Sequence, residues 1–245
     1  MINKNIYYAS FGSNCEVSMM INRFFNNKLY SHLFNWANIK IDKLNFILNN
    51  ISIISNLDNY KFIIRLFKHN ILFKNIYDKN LLLEDDIQKY DIHIDYEFYY
   101  NNEYLFWNHG LQLQKKFKLI NYDKYISDIK NKIKHLIEKT LNLLSSNEIT
   151  FIYLKALKNE YTKECIINFY NSVFRDNIYI GIIYEKNDTY NEEEYNINLK
   201  NLTLLPVEKL TPHNAAVHDK QYNTQSNYKL LFNTTKKLYF NFINS

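Results

Sequence analysis

The chain has 245 residues and a formal net charge of +5 at pH 7. Hydrophobic residues make up 47% and charged residues 22%, and these values exclude a chain that is disordered throughout. The 30 basic residues are matched by 25 acidic ones and are scattered along the sequence, so we expect no nucleic-acid partner. The length suits one elaborated core, and we expect residues 1–245 to form a single domain.

Several classes of protein are disfavoured by what the sequence lacks. Its 2 cysteines are too few for a disulfide framework or a four-cysteine zinc site. Met1–Tyr8 does not read as a secretory signal, and no window approaches the roughly 18 apolar residues of a membrane span. We therefore expect a cytoplasmic protein with no membrane partner. No zinc-peptidase, Walker or dinucleotide-binding motif occurs, so no metal or cofactor is predicted, and no pattern indicates an oligomeric state.

The N-terminal segment predicts a strand, a turn and a helix. Ile6–Phe11 is a short apolar run, and Glu16–Phe25 carries apolar residues at helical spacing. The turn between them is Gly12-Ser13-Asn14. A compact apolar connector, His32–Trp36, precedes a helix that we expect Asp42 to cap and that continues to about Asn49.

The middle of the chain is harder to interpret. Residues 51–103 mix β-prone pieces with short helices expected near Tyr60–Phe67, and Glu84–Asp86 suggests a solvated turn. Tyr104–Trp107 predicts a buried strand that ends before Asn108-His109-Gly110.

The second half alternates helices and strands. The predicted elements are a helix over Tyr122–Leu144, a strand over Ile149–Leu154, a helix over Glu160–Phe174, strands over Ile178–Tyr184 and Leu202–Pro206, and a closing helix over Tyr228–Leu238. Polar loops are expected at Asn187–Asn198 and Thr211–Gln225. The strand-helix-strand unit implies parallel strands. The predicted fold class is therefore α/β, with a three-layer, mostly parallel central sheet flanked by helices, Rossmann-like or SGNH-like.

Cys15 is the candidate nucleophile. Ligands gather at the carboxyl ends of strands in open α/β sheets, and Cys15 follows the first predicted strand. At the first turn of a helix, the dipole and unpaired N–H groups lower the pKa of a thiol. Gly12 is one of only 3 glycines and permits a tight turn, where Asn14 and backbone N–H groups are candidate donors to an oxyanion.

A nucleophilic thiol needs a base, and His109 is the first candidate among the seven histidines. It follows an apolar strand directly and precedes a rare glycine. His213 and His218, after the last predicted strand, are reserve candidates, whereas His135 lies among lysines on the long helix. Asn35 and Asn108 are available to orient an imidazole.

These segments together carry a resemblance to a known family. Ser10-Phe11-Gly12-Ser13-Asn14-Cys15, Phe34-Asn35-Trp36 and Asn108-His109 resemble the motifs of an uncharacterised family described as papain-like cysteine peptidases, whose N-terminal motif is Ser-x-Gly-x-Asn-Cys. The resemblance implies Cys15 as nucleophile and His109 as base. The family usually shows Phe-Asp-Trp, so Asn35 replaces an acid. In papain a separate antiparallel barrel carries the histidine, whereas strand-helix-strand follows here.

Three functions remain open from the sequence. The first is a cysteine-dependent hydrolase or acyl transferase that uses Cys15 and His109 on an unidentified peptide or other acyl substrate. The second is an SGNH-like esterase or acyltransferase acting on glycans, with Ser13 or Cys15 as nucleophile and His213 or His218 as base. The third is a non-catalytic interaction module with a decayed site, which the substitution at Asn35 favours.

Overall fold

The structure, a computed structural model, describes residues 5–12, 15–26, 28–69, 71–113, 117–156, 162–186, 197–207 and 224–243. Its helices and strands, in chain order, are β1 (Ile6–Ser10), α1 (Cys15–Phe24), β2 (Asn38–Ile39), α2 (Ile41–Asn49), β3 (Tyr60–Lys68), β4 (Ile71–Ile76), α3 (Glu84–Lys89), β5 (Asp91–Tyr100), β6 (Glu103–Gln112), α4 (Tyr122–Ser145), β7 (Ile149–Ala156), α5 (Lys163–Val173), β8 (Ile178–Glu185), β9 (Leu202–Val207) and α6 (Thr224–Ile243). Short 3-10 turns lie at Ile51–Ser55, Leu57–Asn59, Lys79–Leu81 and Leu119–Asn121.

The chain divides into two compact units: unit 1 comprises Met1–Ile51 and Lys139–Ser245, and unit 2 comprises Ser52–Glu138. Unit 1 contains a parallel sheet with strand order β1-β7-β8-β9. Every residue of β7 is buried, as expected when both faces of a parallel sheet are covered. On one face, apolar residues of α1 and α6 pack with those of the strands into a continuous core. On the other, Phe11 contacts Phe169 of α5.

Unit 2 is built on antiparallel strands that run in the order β6-β5-β3-β4. The β5–β6 hairpin closes through Asn101 and Asn102, whose φ angles are +49° and +64°. Two consecutive positive φ angles are typical of the tight turns whose twist matches that of paired strands. Within the described ranges, no helix of the protein is both long and apolar enough to cross a bilayer.

The predicted three-layer, mostly parallel sheet is wrong. The parallel sheet has four strands, and a separate antiparallel sheet occupies the middle of the chain. Tyr60–Phe67 forms most of β3 instead of a helix, because periodicity alone cannot distinguish a short, largely apolar strand from a short helix. Because asparagine is frequent throughout the chain, Asn101-Asn102 gives no distinct hairpin signal in the sequence. The expectation that His109 follows a strand is also wrong, since β6 continues to Gln112.

Several predicted elements outside the middle sheet are confirmed. Parallel pairing of β7 with β8 is confirmed, as are the N-terminal strand and helix, to within one residue at each end. The long helix runs over Tyr122–Ser145 as expected. Two details differ: Lys40 occupies the cap position of α2 that was assigned to Asp42, and Glu84–Asp86 forms the first turn of α3.

Candidate active site

The N-terminal turn of unit 1 leaves the carboxyl end of β1. The Phe11 N–H donates to the Tyr153 carbonyl oxygen at 3.0 Å, so the chain stays against β7 one residue beyond the strand. Gly12 then has φ +73°, and a Cβ there would overlap the side chain of Ile39. Both facts require glycine at this position. Cys15 is the first residue of α1, whereas Ser13 and Asn14 lie outside the described residues.

Asn35 fastens the His32–Trp36 connector to β1. Its Oδ1 accepts from the Ser10 N–H at 3.2 Å, and its Nδ2 donates to the Tyr30 carbonyl oxygen at 2.5 Å. The side chain is buried, and the next residue, Trp36, has φ +65°, which is rare for a bulky residue. Both ends of the Asn35 amide are therefore engaged within unit 1, and its role in orienting a histidine stays a prediction.

His32 is a buried histidine that sequence reasoning did not single out. Its ring centroid lies 4.6 Å from that of Phe11, and Nδ1 accepts from the Phe34 N–H at 3.4 Å. Burial lowers the pKa of His32 to about 3, although contacts with the Ser10 backbone and the Asn35 side chain act in the opposite direction. The imidazole is therefore neutral at physiological pH.

Glu16, the residue after Cys15, belongs to a fully buried ion pair. Lys155 Nζ of β7 donates to Glu16 Oε2 at 2.7 Å, and the Tyr228 hydroxyl of α6 donates to Glu16 Oε1 at 2.9 Å. Burial is the main cause that raises the pKa of Tyr228 well above its ordinary value, and the neighbouring Glu16 carboxylate raises this pKa further. The network joins the first turn of α1 to β7 and α6. Its signal in the sequence is Lys155, the one charged residue of β7.

In unit 2, a β-bulge positions His109. Ile94 pairs with Leu111, and Tyr96 pairs with Asn108, so His109 and Gly110 together face the single residue Asp95. A Cβ at Gly110 would overlap the carbonyl oxygen of Ile94, which explains the glycine. Bulges redirect side chains and are frequent beside active sites.

Asp95 is the acid that faces His109. Its Oδ1 lies 3.4 Å from His109 Nδ1 and accepts from the Gly110 N–H at 3.3 Å. The Asp95 side chain is 1% exposed, whereas that of His109 is 40% exposed. A carboxylate at Nδ1 favours the tautomer with the proton on that nitrogen, which leaves Nε2 as the basic atom. The Asn108 side chain accepts from the His109 N–H at 2.8 Å, so it contacts the backbone of His109.

Arg65 and Trp107 complete the surroundings of this pair. Arg65 Nε lies 3.3 Å from Asp95 Oδ2, and the guanidinium carbon lies 4.5 Å from the centroid of the Trp107 ring. The Trp107 ring meets the His109 ring edge-to-face, with the centroids 4.8 Å apart. From α4, Lys132 Nζ donates to the carbonyl oxygens of Gly110 at 3.0 Å and His109 at 3.4 Å.

Sequence reasoning missed Asp95, although the signal was present. Polar His93, Asp95 and Glu97 alternate with apolar residues along β5, a period of two that places these side chains on one face of the strand. The pKa of His93 on this face is lowered, mainly by burial. Asp95 raises the pKa of His93, and His109 lowers it.

The two reserve candidates for the base come from the C-terminal part of the chain. His213 and His218 lie outside the described residues, so their assignment as reserve bases stays a prediction. Among the residues that the structure does describe, no group of three or more histidine, cysteine, aspartate or glutamate side chains could hold a metal ion.

Comparison of the chain with known protein families, characterised proteins and solved structures gave no match. The resemblance to papain-like cysteine peptidases is therefore an expectation from short motifs.

Proposed function

We propose that the protein is a cysteine-dependent hydrolase or acyl transferase in which Cys15 is the nucleophile and His109 is the general base. The observation that carries the proposal is the contact between His109 Nδ1 and the buried Asp95 carboxylate at the β6 bulge. A histidine whose Nδ1 faces a carboxylate and whose ring is partly exposed is suited to accept a proton at Nε2.

Unit 1 supplies the second line of support. Cys15 is the first residue of α1. A thiolate at the N-terminus of a helix is in general stabilised by the unpaired N–H groups and by the positive end of the helix dipole. The preceding turn contains Gly12 in the left-handed region, directly after a strand of a parallel sheet. We assign stabilisation of the oxyanion to backbone N–H groups of this turn and to Asn14.

In the proposed reaction, His109 carries the proton between the thiol, the leaving group and the attacking water or amine. Cys15 Sγ attacks the carbonyl carbon of the substrate, and the thiol proton passes to His109. The leaving group takes this proton as the tetrahedral intermediate collapses to a thioester. His109 then removes a proton from water, or from an acceptor amine, which attacks the thioester and releases the acyl product and the thiol.

The proposal is tested by the rate of alkylation with iodoacetamide, followed at each cysteine by mass spectrometry. Cys165 is the internal control, because it is half-buried on α5 and its N–H donates to Thr162 Oγ1. We expect Cys15 to react at least about tenfold faster than Cys165 at neutral pH, and His109→Gln to abolish most of this difference. His135→Gln, a change on the exposed face of α4, should leave it intact.

Equal alkylation of the two cysteines in the folded protein would contradict the proposal. The non-catalytic interaction module would then be the better description. Rapid reaction of Cys15 that His109→Gln leaves unchanged would retain the nucleophile and exclude His109 as its base.

A further inference from the structure

Arg65 forms an ion pair with the Asp95 carboxylate on the side opposite to Oδ1, the oxygen that faces His109. It lies on β3 directly opposite His93 of β5, so its side chain shares a face with Asp95 and Glu97. Its Nε is 3.3 Å from Asp95 Oδ2, and Nη2 is 4.0 Å from Glu97 Oε1. The guanidinium is thus held between two carboxylates and against the Trp107 ring.

This arrangement determines what Asp95 can do. The carboxylate is almost fully buried, and an isolated buried charge is costly unless it is paired. Arg65 supplies the compensating charge on Oδ2, while the Gly110 N–H holds Oδ1 beside His109. The two oxygens have different partners: the Gly110 N–H hydrogen-bonds Oδ1, and the Arg65 cation faces Oδ2 in an ion pair that lacks hydrogen-bond geometry.

We propose that Arg65 is a positioning residue that acts on His109 through Asp95. By pairing with Oδ2, Arg65 directs Oδ1 at His109 Nδ1, so that the imidazole carries its proton on Nδ1 and presents Nε2 to the substrate. The inference rests on the proposed function only in assigning a base to His109. His93, Tyr96 and Glu97 from β5 and Lys132 from α4 are further titratable groups around this pair.

The planar shape of the side chain matters as well as its charge. Arginine stacks on aromatic rings and presents a fork of donors, whereas lysine is a compact point charge. Arg65→Lys should therefore retain charge compensation but lose the fixed orientation between Asp95, Glu97 and Trp107. Arg65→Gln should lose both.

The test is the tautomer of His109, read from the 15N chemical shifts of its ring nitrogens by NMR. We expect the Nδ1–H tautomer to predominate in the wild-type protein, to fall in Arg65→Lys and to fall further in Arg65→Gln. Lys61→Gln is the matched control, because Lys61 lies on the same face of β3 over the Tyr99 ring and does not contact Asp95. Amide hydrogen exchange in β5 and β6 shows whether each variant retains the folded sheet.

The outcomes separate the two proposals. If folded Arg65→Gln retains the wild-type tautomer, the inference about Arg65 is overturned, whatever the reactivity of Cys15. If the tautomer responds as expected but Cys15 reacts no faster than Cys165, the positioning role stands and the proposed function fails. If Arg65→Gln does not fold, Arg65→Lys decides, and an unchanged tautomer in that variant contradicts the role of the planar fork.

Discussion

The Lys155 ammonium lies 2.7 Å from the Glu16 carboxylate, and neither side chain has any exposed surface. Removing one member of a buried pair leaves an uncompensated charge, which costs about 3–5 kcal/mol. Replacing both members by uncharged groups is far less costly. The stability of unit 1 therefore depends on both charges being present or both absent.

We predict that Lys155→Met lowers the free energy of unfolding of unit 1 by about 3–5 kcal/mol and that Lys155→Met/Glu16→Gln recovers part of this loss. Tyr228→Phe should cost about 2 kcal/mol, since it removes a hydrogen bond to a charged group. Urea unfolding can be followed by Trp36 fluorescence in a Trp107→Phe background, because the chain has 2 tryptophans. If the losses of unfolding free energy in Lys155→Met and in Glu16→Gln sum to the loss in the double variant, the two charges are not coupled.

A second prediction concerns Asp95, the acid beside His109. Asp95→Asn should reduce the alkylation rate of Cys15 at neutral pH by about tenfold or more, because the amide no longer orients and stabilises a charged imidazole. Asp91→Asn is the matched control, since it makes the same change on the same face of β5 at a distance from His109. A similar loss of rate in both variants would show that the effect is not specific to Asp95.

The bulge predicts a cost for any side chain at Gly110. In Gly110→Ala the new Cβ overlaps the Ile94 carbonyl oxygen, a backbone atom of the paired strand that cannot move alone. We expect a loss of about 1–3 kcal/mol in the stability of unit 2, measured by Trp107 fluorescence in a Trp36→Phe background. Gln112→Ala, at the exposed end of β6, should change the stability little. Equal stability of the two alanine variants would rule out a steric requirement for glycine.

His32 predicts a pH dependence with a definite sign. Folding lowers its pKa from 6.5 to about 3, so the unfolded chain binds a proton that the folded chain does not across this interval. Stability therefore rises with pH and is lost on acidification, by about 1.4 kcal/mol per pH unit between these two values. The wild-type protein should lose stability more steeply than His32→Phe as the pH falls from 6.5, in urea titrations.

His135→Gln provides the control for this titration, because His135 is exposed on α4. In His135→Gln, the change of unfolding free energy with pH should match that of the wild-type protein. If His32→Phe shows the same change as the wild-type protein below pH 6.5, His32 is not the cause of the pH dependence.

The candidate site was only partly predictable from the sequence. Gly12 and Gly110 were informative because the chain has so few glycines, and both occupy positions where a Cβ would overlap a neighbour. Asp95 was missed because its role depends on register: one extra residue in β6 places His109 against it. A bulge changes which residues face each other without leaving a clear sign in either strand.

The sequence by itself determined the elements whose signals are local, namely the N-terminal strand and helix, the long α4 helix and the parallel β7–α5–β8 unit. A helix shows its buried face as a repeat along one segment, and a buried parallel strand shows as a short apolar run. Only the tertiary structure decided that the middle of the chain is an antiparallel sheet and that Lys155 neutralises Glu16, a residue 139 positions away in the chain. Pairing between distant segments depends on the energy of desolvation and on strand register, and neither is recorded in the period of a single segment.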